Sequence, residues 1–451
     1  MFIAILGRQP EISLAELKSV YGTANITLLT PDIAGINAQF VDLSILGGST
    51  KIAEVVTTDN HRNRPDSQLF TDISKQIVHH YSNKWHNIDH KITLGISAYN
   101  FNIPPRSVQK TGIILKNALK KSEVSLRLIP NAENNLSTAI SHNNKLGLSE
   151  NKVEILVIKT ADKIIVAESR GAQNITAYAR RDHGKPKRDA FVGMLPPKLA
   201  QIMLNLALGE ITDAEHLAGP YFSEETVTSE ESRISAERST KVPVALKEKS
   251  VLQRKRMGQS NETFEDFGNE NTTSLTILDP FCGTGTVLQE ALLRGLNVTG
   301  SDLSQKMIDY STENLNWVIS SHRHTGKIIN LTAADATSHS WPNSHQISAV
   351  VCETYLGQPF SAPPSPAKLQ EVTGNCNHII SSFLRNIHSQ LKPGTPLCIA
   401  VPSWRSKDGH LTHLPLLRNL NKLGYNQTQP PLVYSRPDQV VAREILVLTV
   451  A

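Results

Sequence analysis

Four carboxylates set the chemistry that this chain can do. Asp279, Asp302, Asp335 and Glu353 each close a short apolar run: Leu275-Thr-Ile-Leu278, Leu296-Asn-Val298-Thr-Gly300, Ile328-Ile-Asn-Leu331-Thr-Ala-Ala334 and Ile347-Ser-Ala-Val350-Val351-Cys352. Runs of that length bounded by turn residues read as buried strands. Directly after Asp279 come Pro280-Phe281-Cys282-Gly283-Thr284-Gly285 and then the apolar-rich residues 287–293, so the first strand leads through a tight glycine turn into a helix. In a doubly wound sheet, ligands lie outside the carboxyl ends of the strands, and glycines there let a ligand approach the backbone. Asp279 could hold a cationic ligand group. Asp302, at the second strand end, could accept from both hydroxyls of a ribose, or simply cap the helix expected over 304–317. Asp335, with Ala336 beside it, could take the amino group of an adenine. A dinucleotide site is disfavoured by one residue: counting G-x-G-x-x-G from Gly283, Leu288 stands where the third glycine belongs.

The elements that must carry these acids continue on both sides. Upstream, Pro196-Pro197-Lys198-Leu199-Ala200 opens a helix with apolar residues at 199, 202, 203 and 206. Residues 210–272 are rich in Ser, Thr, Glu and Lys, and 223–272 read as a mostly disordered or mobile insert. Downstream, a helix over 366–391, a strand over 397–401, a helix over 411–423 and strands over 432–434 and 445–450 continue the alternation.

The chain has 451 residues, too many for one ordinary core, so two or three domains are expected. It is 39% hydrophobic and 19% charged, as in a globular protein, and no apolar run approaches the length of a membrane span. The opening residues 1–6 are too short for a signal segment. A net charge of +5 is mild, so any nucleic-acid surface would be a local patch. Cys282, Cys352, Cys376 and Cys398 form no C-x-x-C pair, which argues against a zinc ribbon and fits a reduced, cytoplasmic setting.

The N-terminal half opens with a strand over 2–6 and a helix over 13–21, where Ser13 and Glu16 have the spacing of a capping box. Gly47-Gly48-Ser49-Thr50-Lys51 reads as a plain turn, with a phosphate cradle as the alternative. His79, His80, His86 and His90 cluster without metal-ligand spacing and are expected to be exposed. A helix over 106–121 turns Ile114, Leu115, Ala118 and Leu119 to a core and leaves Lys110, Lys116 and Lys120 on its flanks; Arg127 follows in a strand over 124–129. The run of Arg180, Arg181, Lys185, Lys187 and Arg188 could contact phosphates.

Several of these segments resemble known families. Asp279-Pro-Phe-Cys-Gly-Thr-Gly285 resembles the first motif of S-adenosyl-L-methionine (SAM) methyltransferases that act on amino groups of bases. Lys116-Asn-Ala-Leu-Lys-Lys121, followed by Ser125-Leu-Arg127-Leu128, resembles the lysine-bearing helix and strand of the THUMP RNA-binding domain. Gly7-Arg8-Gln9-Pro10-Glu11, Leu46-Gly-Gly48, Arg181-Asp182, Pro196 to Ala200, Tyr434-Ser-Arg436-Pro437 and Arg443-Glu444-Ile445 extend the likeness along nearly the whole chain. Together they resemble the THUMP-bearing tRNA guanosine-N2 methyltransferases that modify the guanosine at position 10 of tRNA, with a divergent catalytic motif.

The resemblance implies an α/β fold: a Rossmann-like SAM methyltransferase domain (273–451) with an N-terminal α+β region, ferredoxin-like over 1–60 and THUMP-like over 61–172. Residues 173–209 would be a basic connector and pre-motif helix. SAM would lie against Asp279, Phe281, Cys282, Gly283, Gly285, Asp302, Leu303, Asp335 and Ala336. tRNA would meet Lys110, Lys116, Lys120, Arg127, Arg180, Arg181 and Lys185, with a small activating subunit as a further candidate partner and no membrane. Such enzymes commonly carry (Asp/Asn)-Pro-Pro-(Tyr/Phe) after the fourth strand, where the acid or amide takes the amine and the aromatic stacks on the base. Here that position reads Glu353-Thr354-Tyr355-Leu356, without either proline. Two other readings stay open: a tRNA-binding protein that keeps SAM affinity without catalysis, and a DNA amino-methyltransferase.

Overall fold

Alternation of short apolar runs with helical periods predicts layered α/β architecture, and two sheets result. The computed structural model describes residues 1–61, 64–189, 194–210, 275–322, 326–436 and 439–451. The expected insert lies outside these residues apart from Glu210.

The first sheet holds β1 (Phe2–Leu6), β2 (Ile26–Thr30), β3 (Ile33–Ile36), β4 (Ser49–Asn60), β5 (Ile92–Tyr99), β6 (Leu126–Leu128), β7 (Lys152–Lys159) and β8 (Lys163–Ala172), in the order β2-β3-β1-β4-β8-β7-β5-β6. Its helices are α1 (Pro10–Tyr21), α2 (Asp66–Lys84), α3 (Pro105–Lys120) and α4 (Thr138–Asn143). The long strand β4 pairs with β1 through its first half and with β8 along its length, so one sheet runs across residue 60. The four clustered histidines are all exposed. On α3, Leu115 and Leu119 are buried, but Ile114 is 43% exposed. The core stripe therefore lies on Val108, Leu115 and Leu119, and the expected inward Ile114 is corrected to a surface position.

The second sheet holds β9 (Thr276–Asp279), β10 (Asn297–Asp302), β11 (Ile328–Ala333), β12 (Ala349–Glu353), β13 (Pro396–Arg405), β15 (Tyr425–Gln427) and β17 (Val441–Val450), in the order β11-β10-β9-β12-β13-β17-β15. Two short strands, β14 (Leu411–Thr412) and β16 (Leu432–Tyr434), pair with β13 and β17. Strands β9 to β13 run parallel along the central path, and β17 is antiparallel to β13. The chain winds outward from β9 to β11, then crosses back to lay β12 on the other side of β9. The switch point of this Rossmann-like α/β sheet is therefore between β9 and β12, where such sheets open a crevice. The helix expected over 411–423 is instead β14 and two short 3-10 turns, Pro415–Asn419 and Asn421–Leu423, broken by Leu420 and stopped by Gly424.

Both sheets meet at α6 (Pro197–Leu208), which follows α5 (Ile175–His183). Nearly every side chain of α6 is buried, as its mostly apolar sequence requires. It packs on α1, on β12, β13 and β17, and on α7 (Thr286–Leu293). At their common seam, the Glu16 carboxylate accepts from Gly47 N and Gly48 N at 2.8 Å each and from Asn205 Nδ2 at 2.6 Å. Asn205 also donates to the Ile45 carbonyl and accepts from Arg294 Nη1 at 2.7 Å, just past α7. Glu16 thus does not cap its own helix; α1 starts at Pro10 after Gln9, and the capping-box expectation is corrected. The glycine pair is a turn whose amides are taken by this internal carboxylate. A side chain at Gly47 would meet the Lys198 carbonyl at 2.2 Å, so only glycine admits α6 here.

Burial drives the Glu16 carboxyl up to about 7, against the pull of its N–H donors. A raised folded-state value means that the native state holds the proton more tightly than the unfolded chain. Its contribution to stability is full below the ordinary carboxylate range and is lost as pH rises to about 7. Thermal melts should show this decline flattened in Glu16→Gln. Asn205→Ala should lower the unfolding free energy by about 1–3 kcal/mol in denaturant titrations, because it removes the amide that donates to the buried Glu16 carboxylate and to the Ile45 carbonyl.

Candidate active site

The glycine turn after β9 is built from backbone that only its neighbours can hold. Gly285 sits at φ +82°, and a side chain there would meet Ser311 Oγ at 2.9 Å. Gly283, at φ +51°, faces open space, so a ligand can reach the main chain. Helix α8 (Gln305–Ser321) fixes the turn: Ser311 Oγ donates to the Gly283 carbonyl at 2.8 Å and Asn314 Nδ2 to that of Thr284 at 2.8 Å. Asp302 accepts from Gly283 N at 3.0 Å and from Ser304 N at 2.9 Å, so it joins the turn to the end of β10. Leu303 beside it is 77% exposed, an apolar side chain held in the open at the sheet's carboxyl rim. Cys282 is buried, and burial drives its thiol up, so it packs as a small hydrophobe.

Asp279, Asp302 and Glu353 are the last residues of β9, β10 and β12, and Asp335 lies two residues past the carboxyl end of β11, on one rim of one sheet. Asp279 is 2% exposed, and burial, reinforced by Asp302 and Glu353, pushes its carboxyl well above the usual range. A cation arriving there would favour the charged form. Asp335 is exposed, and hydrogen bonds from the Thr337 hydroxyl and amide hold its carboxyl below the usual range. Ala336 is buried beneath it. Phe281 packs edge-on to Phe383 of α9 (Pro366–His388) at 5.0 Å.

Glu353 and Tyr355 flank the exit of β12. The Arg443 guanidinium of β17 donates from Nε to Glu353 Oε1. Thr354 donates from both its amide, at 2.9 Å, and its hydroxyl, at 3.0 Å, to the Ala400 carbonyl. Proline could make neither bond; here the strand exit is stiffened by hydrogen bonding instead of by ring closure. Gly357, at φ +80°, then lets the chain turn close to Val372 and Cys376. Tyr355 is 41% exposed. Arg443 and Thr354 are functional candidates that motif reading left without a role. The available signal was the Arg443-Glu444 pair inside an otherwise largely apolar strand.

The basic residues divide. Lys116, Lys120 and Arg127, with Lys91, line a groove of about 560 Å³ on the first sheet's side of the molecule. Lys110 is exposed on α3 but does not line it, and Arg180 is exposed on α5. Arg181 and Lys185 are corrected: both are buried and face inward. Arg181 Nε donates to Glu290 of α7 at 2.8 Å. Lys185 Nζ donates to Thr284 and Thr286 Oγ1 at 3.2 and 3.1 Å, and burial pushes its ammonium down to about 8. Part of the basic run is thus the strap that holds the glycine turn from behind. Among the described residues, no cluster of acid, histidine and cysteine side chains could hold a metal ion, and no helix is long and apolar enough to cross a membrane.

No family model matches the chain. It is 30% identical over 128 residues to a tRNA (guanine(10)-N2)-dimethyltransferase of Methanothermobacter thermautotrophicus, a match covering 28% of this chain and 33% of that relative. The match therefore spans about a third of the relative's length. Among solved structures, TrmN from Thermus thermophilus aligns with 100% of this chain and 99% of its own, at 14% identity and a TM-score of 0.48. A magnesium protoporphyrin IX methyltransferase from Synechocystis with bound SAM aligns with 40% of this chain and 71% of its own, at 17% identity and a TM-score of 0.27.

Because Arg181 neutralises a fully buried glutamate, Arg181→Ala should cost about 3–5 kcal/mol of stability. Lys116→Ala, on the surface, should stay within about 0.5 kcal/mol. Equal denaturation midpoints for the two variants would return Arg181 to a solvent-facing role.

Proposed function

We propose that the chain is a SAM-dependent methyltransferase acting on an exocyclic amino group of a base in tRNA, with guanosine N2 as the target. The observation that carries this reading is the convergence of four carboxylates on the rim that surrounds the glycine turn and the sheet's switch point. The residues present fit the cofactor. The open main chain at Gly283, the exposed Leu303 and the carboxylates of Asp302 and Asp335 suit an adenosyl group, and buried Asp279 suits a cation. When bound, SAM supplies a methyl group on a sulfonium sulfur, so that an N–C bond forms as the S–C bond breaks and the electron pair stays with sulfur. Glu353 accepts an N–H of the amine, aims the nitrogen lone pair away from itself and takes up the proton that the nitrogen sheds. Tyr355 stacks on the extruded base. Positioning of this kind supplies much of the rate when the leaving group is already activated.

The choice of tRNA is supported by the relative that aligns with this chain over 128 residues at 30% identity, which is named for guanine 10 of tRNA. The groove of Lys91, Lys116, Lys120 and Arg127, which Glu123 also lines, offers phosphates four cations against one acid on a chain of mild net charge. A second reading, tRNA binding with SAM affinity but no turnover, is favoured by one observation: Glu353 already has a partner in Arg443.

Transfer of labelled methyl from SAM to unmodified tRNA separates the two, since binding of both without transfer would leave only the second. Under the first, Glu353→Ala should lower kcat by about 100-fold or more while SAM affinity is kept. The combined Lys116→Ala, Lys120→Ala and Arg127→Ala variant should weaken tRNA binding and reduce the slope of log affinity against log salt by about one per lost phosphate contact. An unchanged slope would remove the groove from the interface.

A further inference from the structure

Glu353 is an acid that its surroundings would neutralise if it stood alone. Its side chain is 14% exposed, and burial raises its carboxyl, opposed by Arg443. Among the described residues, the other titratable groups coupled to it are the Asp279 carboxyl of β9 and the thiol of Cys352, neither of which would favour a negative charge. A neutral carboxylic acid is a poor acceptor for an amine N–H and cannot take the proton left after methyl transfer. Among the described residues, the counter-charge comes from two strands away, from Arg443.

Strand register explains how Arg443 reaches it. Glu353 lies beside Ala400 of β13, Ala400 beside Ile445 of β17, and Pro402 beside Arg443. Residues two apart share a face, so Arg443 and Glu353 lie on the same side of the sheet, with Arg443 nearer the carboxyl rim. The small side chain of Ala400 stands between them. Arg443 bonds Oε1, and among the described residues no second donor reaches Glu353, so Oε2 is left for another partner.

We infer that Arg443 is the positioning residue of the methyl-transfer site: it holds Glu353 as an anion and turns its Oε2 toward the acceptor amine. The inference rests on the methyltransferase reading above. It also accounts for glutamate at a position where a shorter acid would reach less far: the extra methylene brings Oε1 within range of the guanidinium and keeps Oε2 at the crevice. A planar guanidinium fixes carboxylate orientation in a way that a flexible ammonium does not.

The test uses the full chain, with Arg443→Gln, Arg443→Lys and Glu353→Gln, in labelled-methyl assays on unmodified tRNA from about pH 6 to about pH 9. Arg443→Gln should lower kcat roughly 100-fold with KM for tRNA within about 3-fold, and should move the acidic limb of the kcat profile to higher pH. Arg443→Lys should recover about 10-fold or more of that loss. A loss confined to KM, or an acidic limb that does not move, overturns the proposal. If Arg443→Gln does not fold, Arg443→Lys carries the kinetic test, and it too must change kcat rather than KM. An infrared measurement needs no turnover. At neutral pH, Arg443→Gln should gain the band of a protonated carboxyl, and the band should vanish in the Arg443→Gln, Glu353→Gln double variant. If the unsubstituted protein transfers no methyl group, the functional reading falls and the infrared comparison decides the pairing by itself, with an absent band overturning it.

Discussion

A single buried carboxylate holds the two sheets of this molecule to one helix. Glu16 has no solvent to stabilise its charge, and its oxygens are met by two glycine amides and the Asn205 amide. Those donors belong to two different constraints. The glycines bring the turn before β4 against α6, and Asn205 passes the connection to Arg294 behind α7. Apolar packing around α6 supplies the larger free energy, but it is non-directional and would tolerate a slide of one turn. The hydrogen-bonded carboxylate tolerates none, because any shift leaves polar groups buried without partners.

That fixed seam matters because the rim of the second sheet is built from groups that dislike one another. Three acids lie within electrostatic reach across β9, β10 and β12, and burial lifts the carboxyls of Asp279 and Glu353. Such a concentration of acid costs stability in the absence of cations. Around it the fold supplies cations from behind: Arg443 against Glu353, Arg181 against Glu290, and Lys185 against the two threonines of the glycine turn. The connector between the sheets therefore has two jobs. Its exposed residues, such as Arg180, face outward, while its buried ones brace the turn on which a cofactor would rest.

The loop after β12 shows how one geometry can be reached by different chemistry. Thr354 spends two donors on the Ala400 carbonyl, and Gly357 supplies a left-handed turn against Cys376 and Val372. A proline pair would stiffen the same segment by removing torsional freedom. Hydrogen bonding stiffens it by enthalpy and leaves Tyr355 exposed at the rim.

Local pattern by itself determined the Rossmann-like half: strands ending at or just before Asp279, Asp302, Asp335 and Glu353, and the glycine turn between the first two, because buried parallel strands and glycine turns are written in short contiguous stretches. The helix start at Pro197 and the outward lysines of α3 were legible for the same reason. Only the tertiary structure decided what the polar residues do. Glu16 had the spacing of a cap but bonds a turn some thirty residues away. Arg181 and Lys185 had the composition of a phosphate patch but point inward, and Arg443 showed no role until register set it across β13 from Glu353. The 411–423 segment had helical apolar spacing, yet it breaks into 3-10 turns around Leu420. Apolar patterns are set by neighbours in sequence, but a buried charge finds its partner by proximity in space, and that pairing is absent from a linear reading.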